Sequence, residues 1–328
     1  MESAADFVFG PEPPIEEPAA PAAAGKAAAV AAAADPLGPL AGLAGNWTGQ
    51  GFNVIWRPHP LNPSGQDRFL ELNVTSEQLD FGPALRDIPN RGLLMPNISL
   101  AGLNYLQQIS DSNLSHGSHV SHQHFEPGLW VLVPKTDDPE EPRTVARLAS
   151  IPHGTTFLAQ GTADTSDGDP QIRAVSIKPF PSDLDHDPKP ADRIDFPEQT
   201  LPLTTTGLFR TSGRGLNGIT HQMVNNPNKF LTDPPPPIIP TRPIAKTTKL
   251  DVSTHDSLPG GGAANIAFLK GTAHRPNAVT TRVTATFWLE TFEGDTKPTQ
   301  LQYTQTVILD FAGLSWPHVT VATLHKEG

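Results

Sequence analysis

Residues 280–291 read TTRVTATFWLET, and this stretch decides the fold class. Every second residue is apolar, at Val283, Ala285, Phe287 and Leu289. The residues between them are Thr284, Thr286, Trp288 and Glu290. A period of two predicts a β-strand with one face toward a core. A turn at Glu293-Gly294-Asp295 follows, and residues 301–310 then supply a partner strand, so the segment predicts a β-hairpin.

Other short segments along the chain have the same strand character and are separated by turn residues. They are residues 45–56, 68–79, 99–109, 128–133, 144–150, 155–160, 247–253, 264–270 and 316–324. About ten short strands at hairpin spacing predict a mainly β protein, either a sandwich or a closed barrel. An antiparallel up-and-down barrel of this size usually encloses one small ligand.

Two segments differ from this β pattern. Residues 1–40 are rich in Ala and Pro and predict a tail with little to bury, so the β domain is expected to span residues 41–328. Residues 178–244 are rich in Pro and predict a long insertion between strands. We expect this insertion to shape access to a pocket, with one further strand just before it near residues 172–177.

Composition excludes several classes of protein. The 36 Pro and 27 Gly residues argue against a helical bundle, and no strand–helix alternation suggests a doubly wound sheet. A net charge of −11 without a basic cluster argues against nucleic-acid binding. No apolar run approaches the ~20 residues that cross a membrane, and the first residues do not resemble a signal peptide. The sequence therefore predicts a soluble, cytoplasmic protein.

Three passages, in this order, resemble the nitrobindin family of haem-binding β-barrels, which are relatives of the fatty-acid-binding barrels. The first is Gly45-x-Trp47-x-Gly49-x-Gly51. The second is His124-Phe125-Glu126-Pro127-Gly128-Leu129-Trp130, followed later by the turn Pro152-His153-Gly154. The third is Pro317-His318, which leads into a short strand. The resemblance covers residues 40–160 and 245–328, and it favours the barrel over the sandwich.

The resemblance implies a ferric b-type haem with His318 as the axial ligand of the iron. His124, Trp47 and Glu126 lie in the matching motifs and are expected to contribute to cofactor binding. The implied activities are nitric oxide binding and a haem-dependent isomerase reaction on peroxynitrite. The chain departs from the family in its greater length, in Leu129 at an aromatic position and in the Pro-rich insertion.

The residues themselves are consistent with histidine ligation. The chain has no Cys, which excludes thiolate ligation and disulfides, and it has only 3 Met and 2 Tyr. On the predicted strand, His318 shares a face with Thr320, Ala322 and Leu324. These small or apolar neighbours leave room for a ring.

Two further groups allow alternative interpretations. The stretch 116–124, HGSHVSHQH, could hold Zn or Cu, since His122 and His124 would share a strand face, or it could simply enter a strand. Glu126, if buried, needs a partner such as Arg147 or Arg282, and it could serve as a general base or as a structural hydrogen-bond acceptor.

The sequence is also compatible with two functions other than nitric oxide binding by haem. One alternative is a haem-free binder or carrier of a small apolar ligand, and another is a haem enzyme that acts on a small organic substrate. The expected partners are haem and a small ligand such as nitric oxide. The sequence does not decide whether the chain forms a homo-oligomer.

Overall fold

The computed structural model describes residues 35–59, 68–113, 121–152, 154–184, 188–203, 210, 216, 218–235, 242–255, 261–265, 268, 271–272 and 277–328. The expected tail therefore lies outside the described residues except for residues 35–40. Strands account for 59% of the described residues and helices for 9%, which confirms the mainly β class.

The described part of the chain contains fourteen strands. They are β1 (Gly45–Pro58), β2 (Arg68–Asn90), β3 (Ile98–Asp111), β4 (His122–Val133), β5 (Thr136–Asp137), β6 (Glu140–Glu141), β7 (Thr144–Ile151), β8 (Thr155–Asp167), β9 (Phe180–Pro181), β10 (Ile244–Ser253), β11 (Gly262–Asn265), β12 (Val279–Phe292), β13 (Gln300–Phe311) and β14 (Leu314–Lys326). The helical segments are three 3₁₀ turns, Gly38–Leu43, Pro190–Asp192 and Pro197–Gln199, and two short helices, α1 (His221–Asn225) and α2 (Lys229–Thr232).

Ten of these strands form a closed antiparallel barrel, in the order β1-β2-β3-β4-β7-β8-β10-β12-β13-β14. The barrel closes because β1 pairs with β14 as well as with β2, in a register that runs from Trp47 opposite Lys326 to Ile55 opposite His318. The expectation of an up-and-down barrel of about ten strands is confirmed.

The inner core follows from the alternation of side chains along the strands. The four alternating apolar residues of the stretch that predicted the fold, Val283, Ala285, Phe287 and Leu289, belong to the inner cluster, whereas Trp288 does not. The 3₁₀ turn Gly38–Leu43 packs onto this cluster through Leu40 and Leu43, both fully buried. The Trp47 indole donates a 2.7 Å hydrogen bond to the Leu43 carbonyl and anchors the turn to the barrel.

A second apolar cluster lies on the outer face of β1, β2, β12 and β14. There, side chains such as Phe52 and Leu72 pack against Ile177 and against Phe230 of α2. The Trp56 indole donates a 2.9 Å hydrogen bond to the Ile177 carbonyl across this contact. The described part of the segment between β8 and β10 therefore covers one outer wall of the barrel.

Several element boundaries differ from the sequence prediction. Strand β2 continues well past residue 79, up to Asn90. No strand forms at residues 172–177, because this segment packs over the barrel by its side chains rather than joining a sheet. The strand expected at 264–270 overlaps β11, which pairs with β8, at residues 264 and 265, and residues 266, 267, 269 and 270 lie outside the described residues.

Among the described residues, no helix has the length and apolar character needed to cross a membrane.

Candidate functional site

A cavity of about 610 Å³ occupies the barrel end at which β1 finishes. Its apolar wall consists of Ile55, Ile151, Val307 and Leu309, and its polar lining includes Arg57, Glu71, His124, Gln305, His318 and Thr320. These residues are widely spaced in the sequence, and barrel closure brings them together. We call this space the end cavity.

His318 lies in the end cavity because of its position on β14. It pairs with Ile55 of β1 on one side and with Val307 of β13 on the other. Thr320 also lines the cavity, whereas Ala322 and Leu324 belong to the inner cluster. The expected shared face is therefore present, with Val319 and Val321 on the outer face.

His124 reaches the same cavity from β4 through a β-bulge. The register with β3 shifts between the pairs Ile109–His124 and Ser110–His122. The shift changes the alternation, so that the consecutive residues Gln123 and His124 both line the cavity while His122 is exposed. The expectation that His122 and His124 share a face is wrong for this reason.

Glu126 lies one step deeper in the barrel, fully buried, and it links His124 to Arg147. His124 Nε2 is 2.9 Å from Glu126 Oε2, and Arg147 Nη2 donates to Glu126 Oε1 at 2.5 Å. Tyr105 also donates its hydroxyl to Oε1 and accepts a 2.8 Å hydrogen bond from Arg147 Nε. Of the two arginines that the sequence suggested as partners, Arg147 is the one bonded to this carboxylate.

The electrostatics of this buried pair favour the charged forms. Burial by itself would raise the pKa of Glu126, but the charge of Arg147 and the hydrogen bonds from His124 and Tyr105 outweigh it and lower the pKa to about 2. Burial opposes the charged form of Arg147 as well, yet the charge of Glu126 leaves the pKa of Arg147 raised. Glu126 is therefore ionised at neutral pH.

The polar network continues beyond Arg147 to a second carboxylate. Arg147 Nη2 is 3.4 Å from Gln107 Oε1, and Gln107 Nε2 donates to the Tyr303 hydroxyl at 2.8 Å. Tyr303 in turn donates to Glu77 Oε2 at 2.5 Å, and Thr75 donates to Glu77 Oε1 at 2.8 Å. Burial raises the pKa of Glu77 to about 7, although these hydrogen bonds oppose the shift.

Trp47 is separated from the other three predicted site residues. It is fully buried near the start of β1, beside the Gly38–Leu43 turn, with Lys326 Nζ 4.9 Å from its ring centroid. The cavity residue Ile55 is eight residues further along β1, which corresponds to roughly 25 Å. The structure thus brings His318, His124 and Glu126 together and places Trp47 at the other end of the barrel.

The sequence also suggested a Zn or Cu site in the stretch 116–124. Among the residues that the structure describes, no group of three or more His, Asp or Glu could hold a metal ion. His116 and His119 lie outside the described residues, as does His153. The described residues of the Pro-rich segment 178–244 line none of the end cavity and instead contribute to the outer wall.

Sequence reasoning missed several polar members of the site: Tyr105, Gln107, Tyr303, Gln305 and Glu77. The signal that could have found them is the strand period, because each lies at the same parity as an inner apolar residue of its own strand. Polar residues at such inward positions are uncommon unless they bond to one another.

The chain matches no family model and no curated protein. Among solved structures, it is similar to one titled "Crystal Structure of Rv2717c from M. tuberculosis" at 14% sequence identity. That alignment covers 90% of this chain and 99% of the other, with a TM-score of 0.39, which is too low to bear on function.

Proposed function

We propose that the barrel binds a b-type haem in the end cavity, with His318 as the axial ligand. The observation that supports this most directly is that His318, near the start of β14, faces an apolar cavity which a second imidazole, His124, also lines. Axial coordination needs one imidazole inside an apolar space.

The residues present fit the group. The cavity volume of about 610 Å³ falls within the usual range of ~300–1,000 Å³ for ligand pockets. Ile55, Val307 and Leu309 offer apolar contacts to a macrocycle. Arg57 lines the cavity with its side chain 43% exposed and pairs through Nε with Glu71, so its two terminal nitrogens can meet a ligand carboxylate that stays in contact with water.

The haem would supply an iron that takes a small ligand, and the proposed ligand is nitric oxide, with peroxynitrite isomerisation as the proposed reaction. The chain itself holds the two imidazoles in the cavity. Glu126 fixes the His124 ring through Nε2, and Arg147 keeps Glu126 ionised, so the orientation of His124 depends on this buried pair.

The test is His318→Ala, followed by haem titration and visible absorption spectroscopy. We expect a folded barrel, because losing one side chain at a strand start costs ~1–2 kcal/mol of stability, together with a large loss of haem affinity and a weakened Soret band. Exogenous imidazole should restore part of the band. The matched control is His122→Ala, which removes an exposed His and should leave the titration unchanged.

Two results would contradict this assignment. If His124→Ala abolishes the Soret band while His318→Ala does not, the axial ligand is His124. If the wild-type chain binds no haem under any loading condition, the second candidate function takes over, a haem-free binder of a small apolar ligand. The apolar wall of the end cavity favours that candidate, and displacement of an apolar fluorescent probe would measure it.

A further inference from the structure

Gln305 is a buried amide on the wall of the end cavity. It lies on β13 opposite Thr320 of β14, and it is only 6% exposed. Both residues line the cavity, two positions along their strands from the pair Val307–His318. Gln305 therefore adds a polar group, beside Thr320, to a wall whose apolar part is formed by Val307 and Leu309.

The orientation of the Gln305 amide is fixed by its hydrogen bond with Arg147. Arg147 Nη1 donates to Gln305 Oε1 at 2.6 Å, so the carbonyl side of the amide is turned toward Arg147. A flipped amide would place its NH₂ against a guanidinium, which carries only donors, and both groups would lose their partner. Arg147 is itself held by Tyr105 and Glu126.

The Gln305 NH₂ group is left on the cavity side. Gln305 Nε2 has no hydrogen-bond partner among the residues that the structure describes, whereas Gln302 Nε2 on the same strand bonds to Leu231 and Thr323. This nitrogen is not among the fully enclosed unpartnered atoms, so it reaches the open space of the cavity, where a ligand that supplies an acceptor oxygen would replace water as its partner. Glu126 balances the charge of Arg147. Gln305 therefore offers a ligand hydrogen bonds from its N–H groups, without a net positive charge behind them.

We propose that Gln305 is the specificity-determining donor of the end cavity and selects ligands that carry an anionic or strongly accepting oxygen. This proposal rests on the proposed ligand-binding function of the cavity and names the class of ligand that it takes. Arg147 is a positioning residue in this arrangement, since it acts on the ligand only through the Gln305 amide.

The test uses two fluorescent probes of one skeleton, 1-anilinonaphthalene-8-sulfonate and N-phenyl-1-naphthylamine, which lacks the sulfonate. Gln305→Leu keeps the approximate side-chain size and removes both the NH₂ donor and the oxygen that accepts from Arg147, whereas Gln305→Glu keeps an acceptor for Arg147 and removes only the donor. We expect it to weaken sulfonate-probe binding about tenfold or more, as expected for a hydrogen bond to a charged group, and to change binding of the neutral probe by less than about twofold. Gln305→Glu replaces the NH₂ with a carboxylate oxygen and should weaken sulfonate-probe binding further.

The matched control is Gln302→Leu. Gln302 is the same residue type on the same strand and is 7% exposed, but its side chain bonds on the outer face. It should leave the affinities for both probes unchanged, with the melting temperature of each variant recorded to confirm folding.

Three results are decisive against the proposal or the function on which it rests. If Gln305→Leu weakens both probes equally, Gln305 contributes shape rather than selectivity, and the proposal is wrong while ligand binding stands. If Arg57→Gln removes the preference for the sulfonate and Gln305→Leu does not, the selecting group is Arg57. If the wild-type chain binds neither probe and no haem, the ligand-binding function itself fails.

Discussion

Glu126 is a fully buried carboxylate whose counter-ion, Arg147, is also buried. Glu126→Gln keeps the shape and leaves the Arg147 charge without its partner inside the barrel. We expect a loss of about 3–5 kcal/mol in the free energy of unfolding, measured by urea denaturation. The matched change is Glu71→Gln, which breaks a pair with the partly exposed Arg57 and should cost no more than about 1 kcal/mol. Equal losses in the two variants would contradict this account.

Glu77 gives the molecule a specific pH dependence of stability. Burial raises its pKa from 4.5 to about 7, so between these values the folded chain holds a proton that the unfolded chain has released. This contribution to stability is complete below pH 4.5 and is lost as the pH rises through 7, at up to about 1.4 kcal/mol per pH unit.

Glu77→Gln should remove that slope. Urea denaturation between pH 5 and pH 7 should give a shallower decline for the variant than for the wild-type chain. Glu290, whose pKa burial also raises to about 7, supplies an independent second contribution, so Glu290→Gln should flatten the curve further when the two changes are combined. Parallel curves for the wild type and Glu77→Gln would show that Glu77 stays ionised in the folded chain.

At the scale of single residues, the sequence predicted those parts of the site that stand in local motifs. His318 could be placed on an inward face because its neighbours alternate, and the need of a buried carboxylate for a cation gave Arg147 or Arg282 as the partner of Glu126. Gln305 could not be found in this way. Its role depends on Arg147, 158 positions earlier in the chain, and this contact exists only after the barrel closes.

At the scale of elements, β2 shows why the alternation of polar and apolar residues does not by itself reveal which face of a strand points into the barrel. Its apolar residues Leu70 and Leu72 point to the outer cluster, while Glu71 lines the end cavity and Thr75 and Glu77 join the buried network. The alternation correctly predicts a strand. The usual assumption that apolar residues face the core would, however, place Leu70 and Leu72 inside the barrel. The cause is the segment between β8 and β10, whose apolar residues cover the outer wall.

The docking of α2 onto β1 can be tested separately from ligand binding. Phe230 is fully buried, and its ring stacks on Phe52 at a centroid distance of 6.1 Å. Phe230→Ala should weaken, by about 3–5 kcal/mol, the packing of the covering segment, which is the segment between β8 and β10, on the barrel. We expect faster native-state proteolysis between residues 168 and 243 and an unchanged haem or probe titration, because the end cavity lies inside the wall.

The control for this variant is Leu93→Ala, which truncates an apolar side chain that is 95% exposed and should change stability by no more than about 0.5 kcal/mol. Reduced probe affinity in Phe230→Ala would mean that the covering segment also sets the shape of the cavity, as the sequence suggested.

At the scale of the whole molecule, β14 closes the barrel because it pairs with both β1 and β13. Removing residues 315–328 would leave β1 and β13 as two unpaired edges and would remove His318 and the inner residues Ala322 and Leu324. We expect the truncated chain to lose its cooperative unfolding transition in urea, as monitored by circular dichroism. Removing only residues 327–328 deletes one backbone bond, from Glu327 to the Asn46 carbonyl, and should leave the transition nearly unchanged.

The same closure determines when the site comes into existence. Residues near position 50 must find partners near position 320, so the contacts that seal the barrel are among the most distant along the chain. Proteins dominated by such distant contacts fold slowly, and synthesis delivers the early strands first. Until β14 has been synthesised, β1 and β13 therefore remain open edges of the sheet. The end cavity, which needs His318, is assembled only at that last step.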